Sequence, residues 1–262
     1  MRTFFTFLIG LAVAVGLAGC DSNGGGSGPT AQVRFMHASA DAGAVNIIVD
    51  GETVANGVSF SDLSGGISAN PTVSEYFEVP VASDTDIQVQ DASGNTVIST
   101  TAGSAGLQEN ARYTVIVAGA VAAGSETPSP VILRDQFGAD LGSDQVGIRL
   151  VHGSAIAGAV DVYLTPPGTD LQNATPLISN FRFGNDFPGG FAGQFAPQAV
   201  TQSGSMLSVT ETGSTQPVLQ LQVGGDQGLS VSPGQYITGV AIDNPQATPP
   251  VGALVHVDTP GQ

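Results

Sequence analysis

From residue 33 onward, apolar and polar residues alternate with a period of two, in short runs divided by turns rich in Gly, Asn and Asp. Val33, Phe35 and His37 fall on one face of a first strand, Arg34 and Met36 on the other, and Val45, Ile47 and Val49 line one face of the next. Asp50-Gly51 follows, a dipeptide that tolerates the positive φ of a tight hairpin. The same alternation predicts strands over residues 73–79, 87–90, 96–100, 113–117 and 131–134, with residues 91–95 as a hairpin loop. No stretch of useful length carries a helical period.

The pattern then starts again. Residues 34–45, which include Arg34, His37 and Ser39, return as residues 149–160 with Arg149, His152 and Ser154, and register holds at an offset of 115 as far as Val49. Residues 166–173 widen the hairpin that Asp50-Gly51 closes tightly in copy one. Beyond it, Val58 and Phe60 align with Phe181 and Phe183, residues 63–67 with 187–191, and Tyr113 with Tyr236. Each of these tyrosines follows a turn, the arrangement of a tyrosine corner, although a Tyr suited to a half-buried strand accounts for them equally. Short strands, no helices and about 100 residues per copy predict an all-β protein of two tandem immunoglobulin-like antiparallel β-sandwich domains. The domains span 32–137 and 146–262, with a linker at 138–145.

The N-terminus adds an address. Arg2 precedes an apolar run that is too short to span a bilayer as a helix of about 20 residues but suits a secretory signal. It ends in Leu17-Ala18-Gly19-Cys20, which looks like a bacterial lipobox whose cysteine is acylated after cleavage. Residues 1–19 read as a lipoprotein signal peptide, and residues 20–31 as the lipidated Cys20 with a flexible Gly-rich tether. Cys20 is the single cysteine, so no disulfide within the chain is available and the core must be stable by burial. The expected location is the cell envelope, anchored by lipid to the inner or outer membrane and facing the periplasm or exterior.

Twenty-two acidic residues stand against six basic ones, all arginine, for a net charge of −16. Such a surface repels nucleic acid and anionic lipid. Adaptation to high salt and the coding bias of a high-GC genome account equally for the missing lysine.

The stretch Arg34-Phe35-Met36-His37-Ala38-Ser39-Ala40-Asp41-Ala42, followed by Val45-Asn46-Ile47-Ile48-Val49-Asp50-Gly51, resembles the bacterial family called domain of unknown function 4397. Copy two is similar through Val160-Asp161-Val162-Tyr163 and the turn Pro233-Gly234-Gln235-Tyr236. Ala40 and Ala155 depart from the family's proline, and Ile156 from its aspartate. The resemblance implies exported, often lipid-anchored tandem sandwich modules; it implies no activity.

Candidate chemistry is sparse. Strand phase points His37 and His152 into the core, where a neutral imidazole can satisfy a turn carbonyl and amide. A metal site there could draw on Asp41 but not on Ile156. His256 is the third histidine. His152-Gly153-Ser154 is a local adjacency without a nucleophile elbow, so an envelope hydrolase is the lesser alternative to a non-enzymatic protein. Phe181, Phe183, Phe187, Phe191 and Phe195 could form an aromatic platform for a glycan or protein, but their copy-one counterparts include ordinary core residues, which favours packing. Asp135, Asp140 and Asp144 could hold Ca²⁺ at the junction; their spacing matches no calcium loop, so a solvated linker is favoured. The expectation is a protein without cofactor, in a binding, adhesion or spacer role. Its partners would be the membrane, through the anchor, and an unidentified protein or glycan, with a glycan-binding module as the alternative within binding.

Overall fold

The computed structural model describes residues 28–60, 67–69, 73–119, 129–138, 141–188, 194–199, 204–225, 229–244 and 250–259. Copy one contributes β1 (Thr30–Ala38), β2 (Val45–Val49), β3 (Glu52–Val58), β4 (Ile67–Ala69), β5 (Phe77–Pro80), β6 (Asp86–Asp91), β7 (Thr96–Thr101), β8 (Arg112–Ala118) and β9 (Ser129–Arg134). Copy two contributes β10 (Gln145–His152), β11 (Val160–Thr165), β12 (Ile178–Phe181), β13 (Asp186–Phe187), β14 (Ala196–Ala199), β15 (Ser205–Glu211), β16 (Pro217–Val223), β17 (Tyr236–Asp243) and β18 (Val251–Asp258). The all-β expectation holds. The one helical turn among the described residues, Leu171–Asn173, lies in the widened hairpin of copy two, capped by Asp170 through the Gln172 amide.

Each copy is a β-sandwich. In copy one, a sheet of order β5-β1-β8-β9 faces one of order β3-β2-β6-β7, and Val33, Phe35, Ile47, Val89, Ile98 and Val115 fill the space between them. In copy two, β13-β10-β17-β18 with β14 faces β12-β11-β15-β16 across Ile148, Leu150, Val162, Val209 and Ile237. The Asp50-Gly51 turn has positive φ at both residues, 48° and 81°, as its sequence predicts. Pairing is antiparallel except for β1 with β8, β10 with β17, and β18 with β4.

A third core, not anticipated in the sequence, joins the copies. The outer face of the β1–β8–β9 sheet packs on the outer face of the β10–β17–β18 sheet through Met36, Ile116, Leu133, Val151, Val240 and Leu254. The result is four layers in which the two central sheets are covered on both sides. That is why β1, β8, β10 and β17 are buried almost without interruption, whereas β2 alternates. One strand crosses over: β4 belongs to copy one in sequence but pairs in parallel with β18 of copy two.

The register corrects one alignment. Arg34 sits opposite Thr114 and Arg149 opposite Thr238, so the two threonines are equivalent and Tyr113 and Tyr236 are one residue out of step. A shift of one residue in a strand reverses the face. Tyr113 points into the core of copy one and closes a tyrosine corner, accepting from the Gln108 amide at 3.0 Å. Tyr236 points instead to the junction, where it donates to the Phe137 carbonyl at 2.7 Å.

Candidate functional site

The chemistry-bearing residues of the repeated motif lie at the end and on the outer face of β1 and β10. At the strand ends, His37 is 1% exposed and His152 is fully buried. His37 donates from Nε2 to the Gly43 carbonyl at 2.6 Å, so its Nδ1 is the acceptor for the Ser39 amide at 3.2 Å. His152 repeats the first contact, with the Gly158 carbonyl at 3.1 Å. Each ring meets a phenylalanine edge-on, Phe60 in copy one and Phe181 in copy two.

The serines of the motif are held by carboxylates of different origin. Ser39 donates to Asp41 at 3.2 Å, whereas Ser154 donates to Asp243 of β17 at 2.5 Å. Asp243 also accepts the amides of Ala155 and Ile156. The carboxylate lost at Ile156 is thus replaced from across the sheet, by a residue whose counterpart in copy one is Gly119.

Burial lowers the pKa of both His37 and His152, partly opposed by the carbonyls they bond. The folded state therefore holds them neutral, while the unfolded chain titrates at the ordinary value of about 6.5. A depressed folded pKa means that the unfolded state takes up protons first as pH falls. The stability the two rings supply is complete above pH 6.5 and declines below it. We expect the urea midpoint to fall between pH 7 and 5.5, and to fall less in His37→Gln; a flat profile would contradict neutral burial.

The arginines of the motif build the junction. Arg34 donates from Nε to Thr114 at 2.9 Å, and Arg149 from Nε to Thr238 at 2.8 Å. Each guanidinium then reaches a carboxylate of the other copy. Arg34 forms a bidentate pair with Asp258 at 2.7 and 2.8 Å, and Arg149 pairs with Asp135 at 2.7 Å. Strand register makes Asp135 and Asp258 equivalent, since the Asp135 amide bonds the Arg112 carbonyl and Asp258 sits opposite Tyr236. Likewise Tyr76, beside Arg34, corresponds to Phe195, beside Arg149; the rings stand 4.8 and 4.5 Å from the respective guanidinium carbons. The ion pairs obey a pseudo-two-fold axis between the copies, the signature of an isologous interface.

Electrostatics favour the charged state of Arg34 and of Asp258. Burial alone would lower the Arg34 pKa, but the bond to Asp258 and the charges of Asp135 and Asp258 raise it. Burial alone would raise Asp258, but bonds from His256 and Arg34 hold it well below the usual carboxylate range. Tyr76 donates to Asp135 at 2.6 Å, and burial together with that carboxylate pushes its hydroxyl far up.

The two ends of the junction differ. Beside Arg149, Phe137 packs against Phe195 and Tyr236 and covers the network, and the cleft outside it, about 320 Å³, is lined by Gln136, Gly138, Gln194 and Phe195. Beside Arg34, a cleft of about 210 Å³ remains, bordered by Glu75, Tyr76, His256, Asp258 and Thr259. His256 Nε2 lies 3.3 Å from both Arg34 and Asp258.

These positions revise several expectations. Asp135 does not face a solvated linker: its side chain is fully buried and engaged by Arg149, Thr114 and Tyr76, which leaves it unsuited to Ca²⁺. Asp144 is exposed, and Asp140 lies outside the described residues, as do Cys20 and Phe191. Among the described residues no three acidic, His or Cys groups converge on a metal position. Phe181, 5% exposed in the core of copy two, and Phe195, 4% exposed under Arg149, pack as the copy-one comparison favoured. Phe183 and Phe187 are half-buried. Ser154, fully buried and bound to Asp243, cannot serve a hydrolase as nucleophile.

Sequence alternation missed Arg34, Arg149, Thr114, Thr238, Tyr76 and Asp258 as one unit. A signal was available: Arg34 and Arg149 stand on strand faces otherwise occupied by Met36 and Val151, in a chain with only six basic residues. A family model described as domain of unknown function (DUF4397) matches residues 31–163, from β1 to β11. No curated protein matches the chain.

Proposed function

The chain belongs to the DUF4397 family, a membership that brings no activity with it, and we propose on that footing that it is a lipid-anchored, non-catalytic protein of the cell envelope, in a binding, adhesion or spacer role. One observation carries the reading. In both copies of the repeated motif the arginine, histidine and serine are spent inside the fold, on the junction and on the strand-end corners. Side chains that could do chemistry therefore do structure instead, and they lock two sandwiches into one body.

A fused four-layer body suits a spacer or a display platform better than two beads on a tether do. The anchor is read from Leu17-Ala18-Gly19-Cys20. A diacylated cysteine supplies the two chains that stable attachment needs. Cell fractionation tests this directly. The wild-type protein is expected in the membrane fraction and in the detergent phase of a phase partition, and Cys20→Ser in the aqueous phase or as uncleaved precursor. Retention of the processed serine variant in the detergent phase would overturn the anchor.

A further inference from the structure

We infer that the Arg34 end of the junction, bordered by Glu75, His256, Asp258 and Thr259, is a binding site for a primary ammonium group. The inference deepens the binding role proposed above and rests on it. Its first support is the difference between two equivalent places. Register makes Leu133 the counterpart of His256, Gln194 of Glu75, and Gln136 of Thr259. At the Arg149 end Leu133 is 1% exposed in the apolar core of the junction, and the cleft there, about 320 Å³, is lined without charge by Gln136, Gly138, Gln194 and Phe195. At the Arg34 end a histidine stands in its place, and the cleft of about 210 Å³, room for an amino-acid-sized group, is bordered by the Glu75 and Asp258 carboxylates.

The second support is the balance of charge and donors. Arg34 is neutralised by Asp258 and Arg149 by Asp135. Glu75, exposed at the mouth, has no ion-pair partner among the described residues. Arg34 already donates from Nε to Thr114 and from Nη1 and Nη2 to Asp258, with His256 Nε2 also beside Nη1. The wall presents the Glu75 carboxylate, the Thr259 hydroxyl and the outer lone pairs of Asp258, two carboxylates that an anion would have to face. An ammonium group has three donors and no acceptor, which matches an acceptor-lined wall carrying one unbalanced negative charge. The net charge of −16 favours approach of a cation from any direction. The ammonium could come from a free diamine or from a lysine side chain of a peptide.

Isothermal titration of the full mature chain carrying Cys20→Ser separates these outcomes. The probes are cadaverine, Nα-acetyl-lysine amide and the uncharged isostere Nα-acetyl-norleucine amide. Saturable binding of at least one amine is expected, with none of the isostere. Glu75→Gln and His256→Leu, the latter restoring the residue of the sister end, should each weaken it at least tenfold. Asp84→Asn, an exposed carboxylate elsewhere on copy one, should leave it unchanged. Tighter binding of capped lysine assigns the site to peptides, and tighter binding of cadaverine to free diamines. Absence of amine binding, equal binding of the isostere, equal loss in Asp84→Asn, or wild-type affinity in Glu75→Gln would each overturn the site. None of these would touch the anchoring, which is read from fractionation.

Discussion

Arg149→Ala is expected to lower the unfolding free energy by about 3–5 kcal/mol, the cost of leaving a buried charge without its partner. Asp135 would keep Thr114 and Tyr76 as donors and Arg34 at 3.8 Å, but it would lose the 2.7 Å ion pair that neutralises it. The Thr238 hydroxyl would lose its donor in the same step. Arg149→Lys should fall between wild type and alanine, because an ammonium restores charge without the planar fork that serves Thr238 and Asp135 together. The double variant Arg149→Ala with Asp135→Ala should cost less than the sum of the single changes, since it removes both charges. Urea unfolding of the four proteins at pH 7 measures the cycle. Additive costs would mean that the two residues do not share an interaction.

Leu254→Ala carries the second large effect. Leu254 is fully buried in the junction core, and truncating such a side chain costs about 2–5 kcal/mol. The form of the transition matters more than its midpoint. The wild-type protein should unfold in one step, with calorimetric and van 't Hoff enthalpies equal, because neither inner sheet can shed its partner without exposing an apolar outer face. Ile47→Ala, in the core private to copy one, should lower the midpoint and keep a single step. Leu254→Ala weakens only what the copies share, so calorimetry should resolve two steps. Two separate transitions in the wild type would refute the coupling.

Alternation made much of the fold legible. It phased Val33, Phe35 and His37 against Arg34 and Met36, found the Asp50-Gly51 turn, and sent both motif histidines inward. What it could not supply was the identity of the layer beyond each strand. Period two assigns a residue to a face but does not say whether that face meets solvent or another sheet. Met36, Ile116 and Val240 therefore read as ordinary strand residues, although they are the centre of the molecule. Tyr113 and Tyr236 show a second limit, because matching two turns by their residues overlooked a one-residue difference in how the chain enters β8 and β17. Asp135 shows a third. Gly and Asp neighbours made residues 135–145 look solvated, while the partner that buries Asp135, Arg149, lies beyond that stretch in sequence. Ion pairs between copies show in sequence only as a lone charge on an apolar strand face, as at Arg34 and Arg149, which does not name the partner.

The parallel pairing of β1 with β8 has a mechanical consequence. The chain enters the folded body through β1, so tension arriving from the N-terminal side pulls along that strand. Seven facing residue pairs, from Gln32–Arg112 to Ala38–Ala118, lie side by side along the line of pull. Their hydrogen bonds are loaded in shear and must yield together, whereas a terminal hairpin pulled from its end would unzip one bond at a time. Tension applied from the N-terminal side would therefore meet the bonds of β1 with β8 all at once rather than one by one.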